Sequence, residues 1–236
     1  MSQALLFALV SSAALVVGAL LGMRWMPPTH VLAALLAFAC GALTAALSFE
    51  LFEEAFSKGG HLISGAGLIV GAVVYVVVDV VLARREGGSG SGKAVGLALL
   101  AGVVLDGVPE NLALGTTLAA GAGSTALLVA IVVSNLPEAL VGARSMCDNG
   151  RSVRFALATW CGAAVLLALA IVAGSWLLKD VDERALSGVL AFAGGAVLAA
   201  LANTLFPKAY RDGGPWVALA TVSGFLVAFT LGAVDG

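Results

Sequence analysis

Two short stretches of this chain place acids where an acid is hardest to keep. Asp106 and Glu110 stand four residues apart inside the apolar run 94–119. Ser134 and Glu138 repeat that spacing inside the run 124–143, with Asn135 beside them. A four-residue step stacks two side chains on one helix face, so each run carries a ladder of oxygen donors. Asp106, Glu110, Ser134 and Asn135 lie eight positions or more from the ends of their runs, and Glu138 lies five before the end of its own. An ionised carboxylate at the centre of a bilayer costs on the order of 2.5–3.5 kcal/mol. The sequence offers no Lys or Arg in the middle of any apolar run to offset that cost. The chemistry open to such groups is to hold a passing cation or, if they carry protons, to relay them.

Pro109 and Pro137 each directly precede one of the glutamates. Proline has no N–H, so the carbonyls four residues earlier, of Leu105 and Val133, lose their helical partners. In hydrocarbon an unpaired carbonyl is tolerated only where it faces protein or a wet cavity, and it is a good ligand for a hard cation. A kink that serves packing alone is the other reading. Two prolines in the same relation to a glutamate weigh against it.

The elements that must position these groups follow from composition. Of 236 residues 61% are hydrophobic and 11% charged, less than half the roughly 25% charge of a soluble domain. Apolar stretches recur near 3–23, 31–56, 62–83, 94–119, 124–143, 153–178, 185–206 and 215–234. Each is long enough, at 1.5 Å per residue, to cross a hydrocarbon core about 30 Å thick. The expected fold is therefore an all-α integral membrane protein of eight transmembrane helices, one domain over 1–236. The breaks fall at Met26-Pro27-Pro28, Ser57 to Gly60, Arg84 to Lys93, Gly121 to Ser124, Asp148-Asn149-Gly150, Lys179 to Arg184 and Arg211 to Pro215.

The first run has no preceding Lys or Arg and no good cleavage pattern after it, so it is expected to stay as a permanent helix. Cys40, Cys147 and Cys161 show no paired spacing and form neither a disulfide framework nor a thiolate cage. A net charge of −2 excludes the basic footprint of a nucleic-acid binder. With the N-terminus outside, the cytoplasmic breaks hold Arg24, Arg84, Arg85, Lys93, Arg144, Arg151, Arg154, Lys208 and Arg211, against Lys58, Lys179 and Arg184 outside. The positive-inside bias thus places both termini outside a cell (inner or plasma) membrane. The Gly/Ser stretch from Gly87 to Gly92 becomes a short cytoplasmic connector.

The chain also repeats itself. Residues 36–56, LAFACGALTAALSFELFEEAF, match residues 190–210, LAFAGGAVLAALANTLFPKAY, at 12 of 21 positions. The first lies in the second run and the second in the seventh, which cross in opposite senses. VVLDGVPENLALG at 103–115 likewise aligns on its Pro-Glu with IVVSNLPEALVGA at 131–143. Inverted repeats, spans 1–3 against 6–8 with 4 and 5 central, are the sequence sign of a secondary transporter whose site lies where the repeats meet. Symmetry left by duplication in an inert scaffold is the bland alternative.

At these residues the chain resembles the ZIP (Zrt/Irt-like) divalent metal transporters. D-G-V-P-E-N-L-A-L-G and S-N-L-P-E-A-L look like the family's H-N-x-P-E-G-L-A and H-x-x-P-E in its fourth and fifth spans. Glu50-Leu51-Phe52-Glu53-Glu54-Ala55 resembles the E-L-L-P-E-A that ends the family's second span. The resemblance implies a central metal site of Asp106, Glu110, Ser134, Asn135 and Glu138, with Glu110 and Glu138 the strongest ligands. It implies an outer mouth lined by Glu50 and Glu54. Glu54 reads equally as a solvated helix end. Asp79, near the end of the third span, reads either as a pathway residue or as a structural partner of Arg84 or Arg85.

Departures from the pattern bear on the cargo. Asp106 and Ser134 stand where the family has its two imidazoles, Gly107 where it often has Asn, and Thr204 and Lys208 where the seventh span has acids. His30 and His61 fall in breaks. Zinc favours nitrogen and sulfur, whereas carboxylate, amide and carbonyl oxygens suit Mn²⁺, Mg²⁺, Ca²⁺ or Fe²⁺. The expectation is a carrier, not an enzyme, moving a divalent metal such as Zn, Mn or Fe toward the cytoplasm, with no organic cofactor. The sequence carries no H-E-x-x-H and no G-x-S-x-G. Its partners would be metal ions and the lipid bilayer, not nucleic acid. A homodimer is compatible with the small residues that crowd several spans. A non-metal or proton-coupled carrier, or a non-transporting homologue with a reassigned central pocket, is the alternative.

Overall fold

The computed structural model describes residues 2–86, 92–121 and 125–235, and these are helical with no strand. In chain order they form α1 (Ser2–Arg24), α2 (Thr29–Ala46), a π-helical segment (Leu47–Phe52) and α3 (Glu53–Glu86). Then come α4 (Gly92–Ala119), α5 (Thr125–Asp148), α6 (Val153–Leu177) and α7 (Glu183–Ala200). A second π-helical segment (Leu201–Leu205), α8 (Phe206–Gly213), a 3₁₀ turn (Gly214–Trp216) and α9 (Val217–Asp235) complete the chain.

Five helical stretches among the described residues are long and apolar enough to cross a membrane by length and composition. Two of them, Thr29–Val81 with 53 residues and Glu183–Ala233 with 51, are each about twice the length of one crossing. Each is broken once by a glycine in the left-handed region, Gly60 at φ 68° and Gly214 at φ 65°. A side chain is strained there and glycine is not. Gly60 and Gly214 occupy corresponding places just beyond the two matching segments.

The expected boundaries at 3–23 and 153–178 agree with α1 and α6 to within a residue. Three details differ. The helix expected to end at 143 runs on to Asp148, so Arg144 is not in a loop but on α5, paired with Asp148 at 3.0 Å. The break expected across Ser57–Gly60 narrows to Gly60 alone. The break expected at 211–215 contains the last residues of α8 and the 3₁₀ turn. Residues 87–91 of the connector, and 122–124, lie outside the described residues.

Packing is led by α3 on α7, α2 on α9, α1 on α5, and α4 on α6. Glycines set how closely the backbones approach. A Cβ at Gly41 would run into the carbonyl of Thr221 on α9, and one at Gly195 into the carbonyl of Leu68 on α3. Gly71 meets the carbonyl of Phe192, and Gly224 that of Phe38. Gly41 aligns with Gly195, and Phe38 with Phe192, in the matching segments. Gly22 on α1 abuts the carbonyl of Leu140 on α5, and Gly174 on α6 lies beside the carbonyl of Leu112 on α4. Leu140 and Leu112 correspond when the two Pro-Glu motifs are superposed.

The distribution of polarity is inverted relative to a water-soluble bundle. Leu5, Leu9, Val73, Val77, Leu169, Leu219 and Leu226 are exposed on the outer helix faces, while Ser11, Asp106, Glu110, Asn111, Ser134, Asn135 and Glu138 are buried. An apolar exterior of this extent marks a surface meant for something other than water.

Candidate functional site

The site residues come from α4 and α5, which run as continuous helices through Pro109 and Pro137. Asp106, Glu110, Ser134, Asn135 and Glu138 are all buried, from 1% exposed for Ser134 and Asn135 to 9% for Glu138. All five residues expected at the centre are thus withdrawn from the surface, but they do not share one set of contacts.

Asp106 is held from α3 and the second π segment. The Tyr75 hydroxyl donates to Asp106 Oδ1 at 2.5 Å. Tyr75 has a single O–H, so the Thr204 hydroxyl donates in turn to the Tyr75 oxygen at 3.1 Å. Glu110 faces α5, where Ser134 Oγ stands 3.5 Å from its Oε2 and donates to the Ile131 carbonyl at 3.0 Å. The serine has one proton for two acceptors, and the shorter bond is to the carbonyl. Glu110 therefore keeps acceptor capacity. Glu138 has no hydrogen-bond partner among the described residues. It lines a cavity of about 110 Å³ with Thr29, Leu36, Pro137, Val141, Lys208 and Asp212.

Asn135 is drawn to α1. Its Nδ2 stands 3.5 Å from Ser11 Oγ, Ser11 donates to Asn111 Oδ1 at 2.8 Å, and Asn111 Nδ2 donates to the Gly107 carbonyl at 2.8 Å. This chain of polar groups ties α1, α4 and α5 together beside the carboxylates. Buried polar groups linked in this way specify one arrangement and are costly to break.

Neither the sequence motifs nor the resemblance singled out Ser11, Tyr75 or Asn111. Asn111 directly follows Glu110 and could have been found as a third polar residue on that helix. Tyr75 is one of only two tyrosines in the chain and lies deep in an apolar run. Ser11 sits in an otherwise apolar helix beside Ser12, a signal too common in helices to select it. Replacing Tyr75 with Phe should leave Asp106 Oδ1 without its donor and cost about 1–3 kcal/mol, read as a lower melting temperature of the purified protein in detergent. An unchanged melting temperature would mean that this bond does not hold α3 to α4.

No family model and no curated protein matches the chain.

Two expectations need correction. Asp79 does not take Arg84; it accepts from Asn203 Nδ2 at 2.7 Å, and the side chain of Arg85 is outside the described residues. The absence of any basic residue near the central carboxylates also fails. Lys208, far along the chain on α8, lines the Glu138 cavity, because the π segment and α8 carry it in against α2 and α5. Its charge acts on Asp106 as well as on Glu138. No Lys or Arg is within 4.0 Å of Asp106, Glu110 or Glu138 among the described residues; ion pairs stand elsewhere, such as Glu54 with Lys58, Asp148 with Arg144 and Asp212 with Arg211.

Glu54, partly buried at the start of α3, pairs with Lys58 at 3.0 Å. Glu50 lies deeper, in the first π segment, on a cavity of about 230 Å³ shared with Glu53, Phe49 and the end of α9. Thr204, at the aligned position of the second π segment, faces Tyr75. His30 and His61 are exposed. Among the described residues no group of three or more His, Cys, Asp and Glu side chains closes into a ready cage. The oxygen donors are spread along two helices, with Glu110 and Glu138 carrying free acceptor oxygens.

Proposed function

We propose that this protein is a divalent metal cation transporter, a divergent member of the ZIP family. Eight helices would cross the cell membrane with both termini outside, and metal would pass toward the cytoplasm through a midplane site on α4 and α5. The observation that carries this reading is that Asp106, Glu110 and Glu138 are buried halfway along packed apolar helices with no basic group at ion-pair distance among the described residues. Charge in that setting is costly, and a passing dication offsets it.

The inverted repeat is part of the proposal. Exchanging α1–α3 with α6–α9, and α4 with α5, turns the contact of α3 with α7 into that of α9 with α2, and the contact of α1 with α5 into that of α6 with α4. The same exchange turns each glycine approach described above into another one. Both π segments begin at the aligned Leu47 and Leu201. Sites of secondary transporters lie where such halves meet, which would put this one on α4 and α5. Glu50 and Glu54 would form the outer mouth, with Glu53 beside Glu50, and the cavity at Glu138 the inner one.

With carboxylate and hydroxyl oxygens and no imidazole, the donor set favours Mn²⁺ or Fe²⁺ over Zn²⁺. Titration calorimetry of the purified protein with Mn²⁺, Fe²⁺, Zn²⁺ and Mg²⁺ tests the site directly. The parent should bind one of the transition ions saturably, and the Glu110→Ala, Glu138→Ala double variant should not. If no metal binds the folded parent, the central cavity serves another cargo or none.

A further inference from the structure

Glu138 is a carboxylate, nine-tenths buried, with no hydrogen bond among the described residues, and it lines a cavity that Lys208 also lines. The other charged residue on that cavity, Asp212, is already engaged by Arg211 Nε at 3.0 Å. Lys208 has no hydrogen bond or ion pair of its own among the described residues. The rest of the lining is apolar but for Thr29: Met26, Leu32, Ala33, Leu36, Pro137 and Val141. A lysine is a compact charge on a flexible four-carbon stem, able to reach across such a space while its methylenes stay against apolar walls.

We propose that Lys208 is a tethered counter-ion of the carboxylate site. In the metal-free protein its ammonium swings toward Glu138 and occupies the place of the cargo. An arriving dication displaces it, and its return favours release toward the side on which the cavity opens. Lys208 would thus set the affinity for the ion by competing with it, so the inference rests on the function proposed above and concerns a residue outside the expected ligand set.

Three features of the chain favour this role over a plain solvated lysine. Lys208 lies three residues beyond the second π segment, within a helix that packs on α2. Its charge reaches both Asp106 and Glu138. Arg211, one turn further along, is largely exposed and occupied by Asp212, which leaves the inward position to Lys208.

A site that its own counter-ion fills is competent for only part of the time, and apparent affinity falls by that fraction. A counter-ion in place about nine times in ten lowers affinity about tenfold. The experiment is metal titration of purified parent, Lys208→Gln and Lys208→Arg proteins, with Mn²⁺ as the probe and melting temperature recorded with and without it. Lys208→Gln should bind Mn²⁺ about tenfold more tightly, melt at a lower temperature without metal, and gain a larger stabilisation from it. Lys208→Arg, which keeps the charge, should stay within about twofold of the parent. A merely structural lysine would not yield tighter binding when removed. If the parent binds Mn²⁺ and Lys208→Gln binds it equally or more weakly, the counter-ion role is overturned. If the folded parent binds no Mn²⁺, Zn²⁺ or Fe²⁺, the transporter reading itself fails.

Discussion

Liposomes carrying the parent protein and an internal metal-sensitive dye should fill with Mn²⁺ or Fe²⁺ at a rate that saturates with metal concentration. Liposomes carrying the Glu110→Ala, Glu138→Ala variant should fill no faster than protein-free vesicles. The size of the effect follows from what is removed. A dication in hydrocarbon has no solvent to replace its water, and moving bare charge there costs many kcal/mol. Carboxylate oxygens on α4 and α5 are the anionic groups placed to compensate, and Asp106 is already bound by Tyr75. Losing both glutamates leaves one carboxylate, Asp106, beside hydroxyl, amide and carbonyl dipoles, too little to neutralise a double charge. Glu110→Gln and Glu138→Gln keep volume and remove charge, and should separate the electrostatic contribution from packing. Equal metal entry in parent and double variant, with both proteins shown to be folded, would end the transport proposal.

The second large effect is on assembly. Gly41→Leu, Gly195→Leu, Gly71→Leu and Gly224→Leu should each prevent recovery of a monodisperse protein in detergent, at a cost at or above about 3 kcal/mol, the upper end for an overpacked site. What stands opposite each of these glycines is backbone, the carbonyl groups of Thr221, Leu68, Phe192 and Phe38, and not the far end of a side chain that could turn away. The helices would have to separate along their length. Gly65 and Gly162 have nothing within 4 Å of where a Cβ would sit. Leu at either position should leave the melting temperature unchanged or raise it, since glycine weakens a helix interior by about 1 kcal/mol. Tolerance of Leu at Gly41 or Gly195 would mean that α2, α3, α7 and α9 are not packed as described.

Much of this architecture can be read from the residues, because hydropathy and glycine act locally. The ends of α1 and α6 follow from apolar run length and from Pro27, Pro28 and Asp148 to Gly150. Asp106, Glu110, Ser134, Asn135 and Glu138 stand out because oxygen-bearing side chains are rare within such runs, and all five are buried. What escapes is anything decided by contact between distant segments. Lys208 looks like a residue at the edge of a span when position along one run is the only measure, yet it is brought in beside Glu138. Asp79 looks like a partner for a nearby arginine, but Asn203 on another helix is closer to its carboxylate. Tyr75 and Ser11 carry no motif, and only their neighbours give them a role. Arg144 escapes for a different reason: α5 continues beyond the apolar run, and Arg144 pairs with Asp148 across its last turn.

The two π segments have one more consequence, for anyone who counts residues along these helices. A π turn holds an extra residue within one revolution, and each residue of an α-helix turns the next by about 100°. A helical wheel drawn unbroken through Leu47–Phe52 or Leu201–Leu205 therefore assigns every later side chain to a face about a quarter-turn or more away from its own. Deleting a single residue inside Leu201–Leu205 would remove no functional group from α8, yet it would rotate Lys208 off the Glu138 cavity and bring a neighbour round in its place. In this chain, azimuth is encoded by local miscounting of the helix, so a gap of one position in an alignment here is a change of direction and not merely of length.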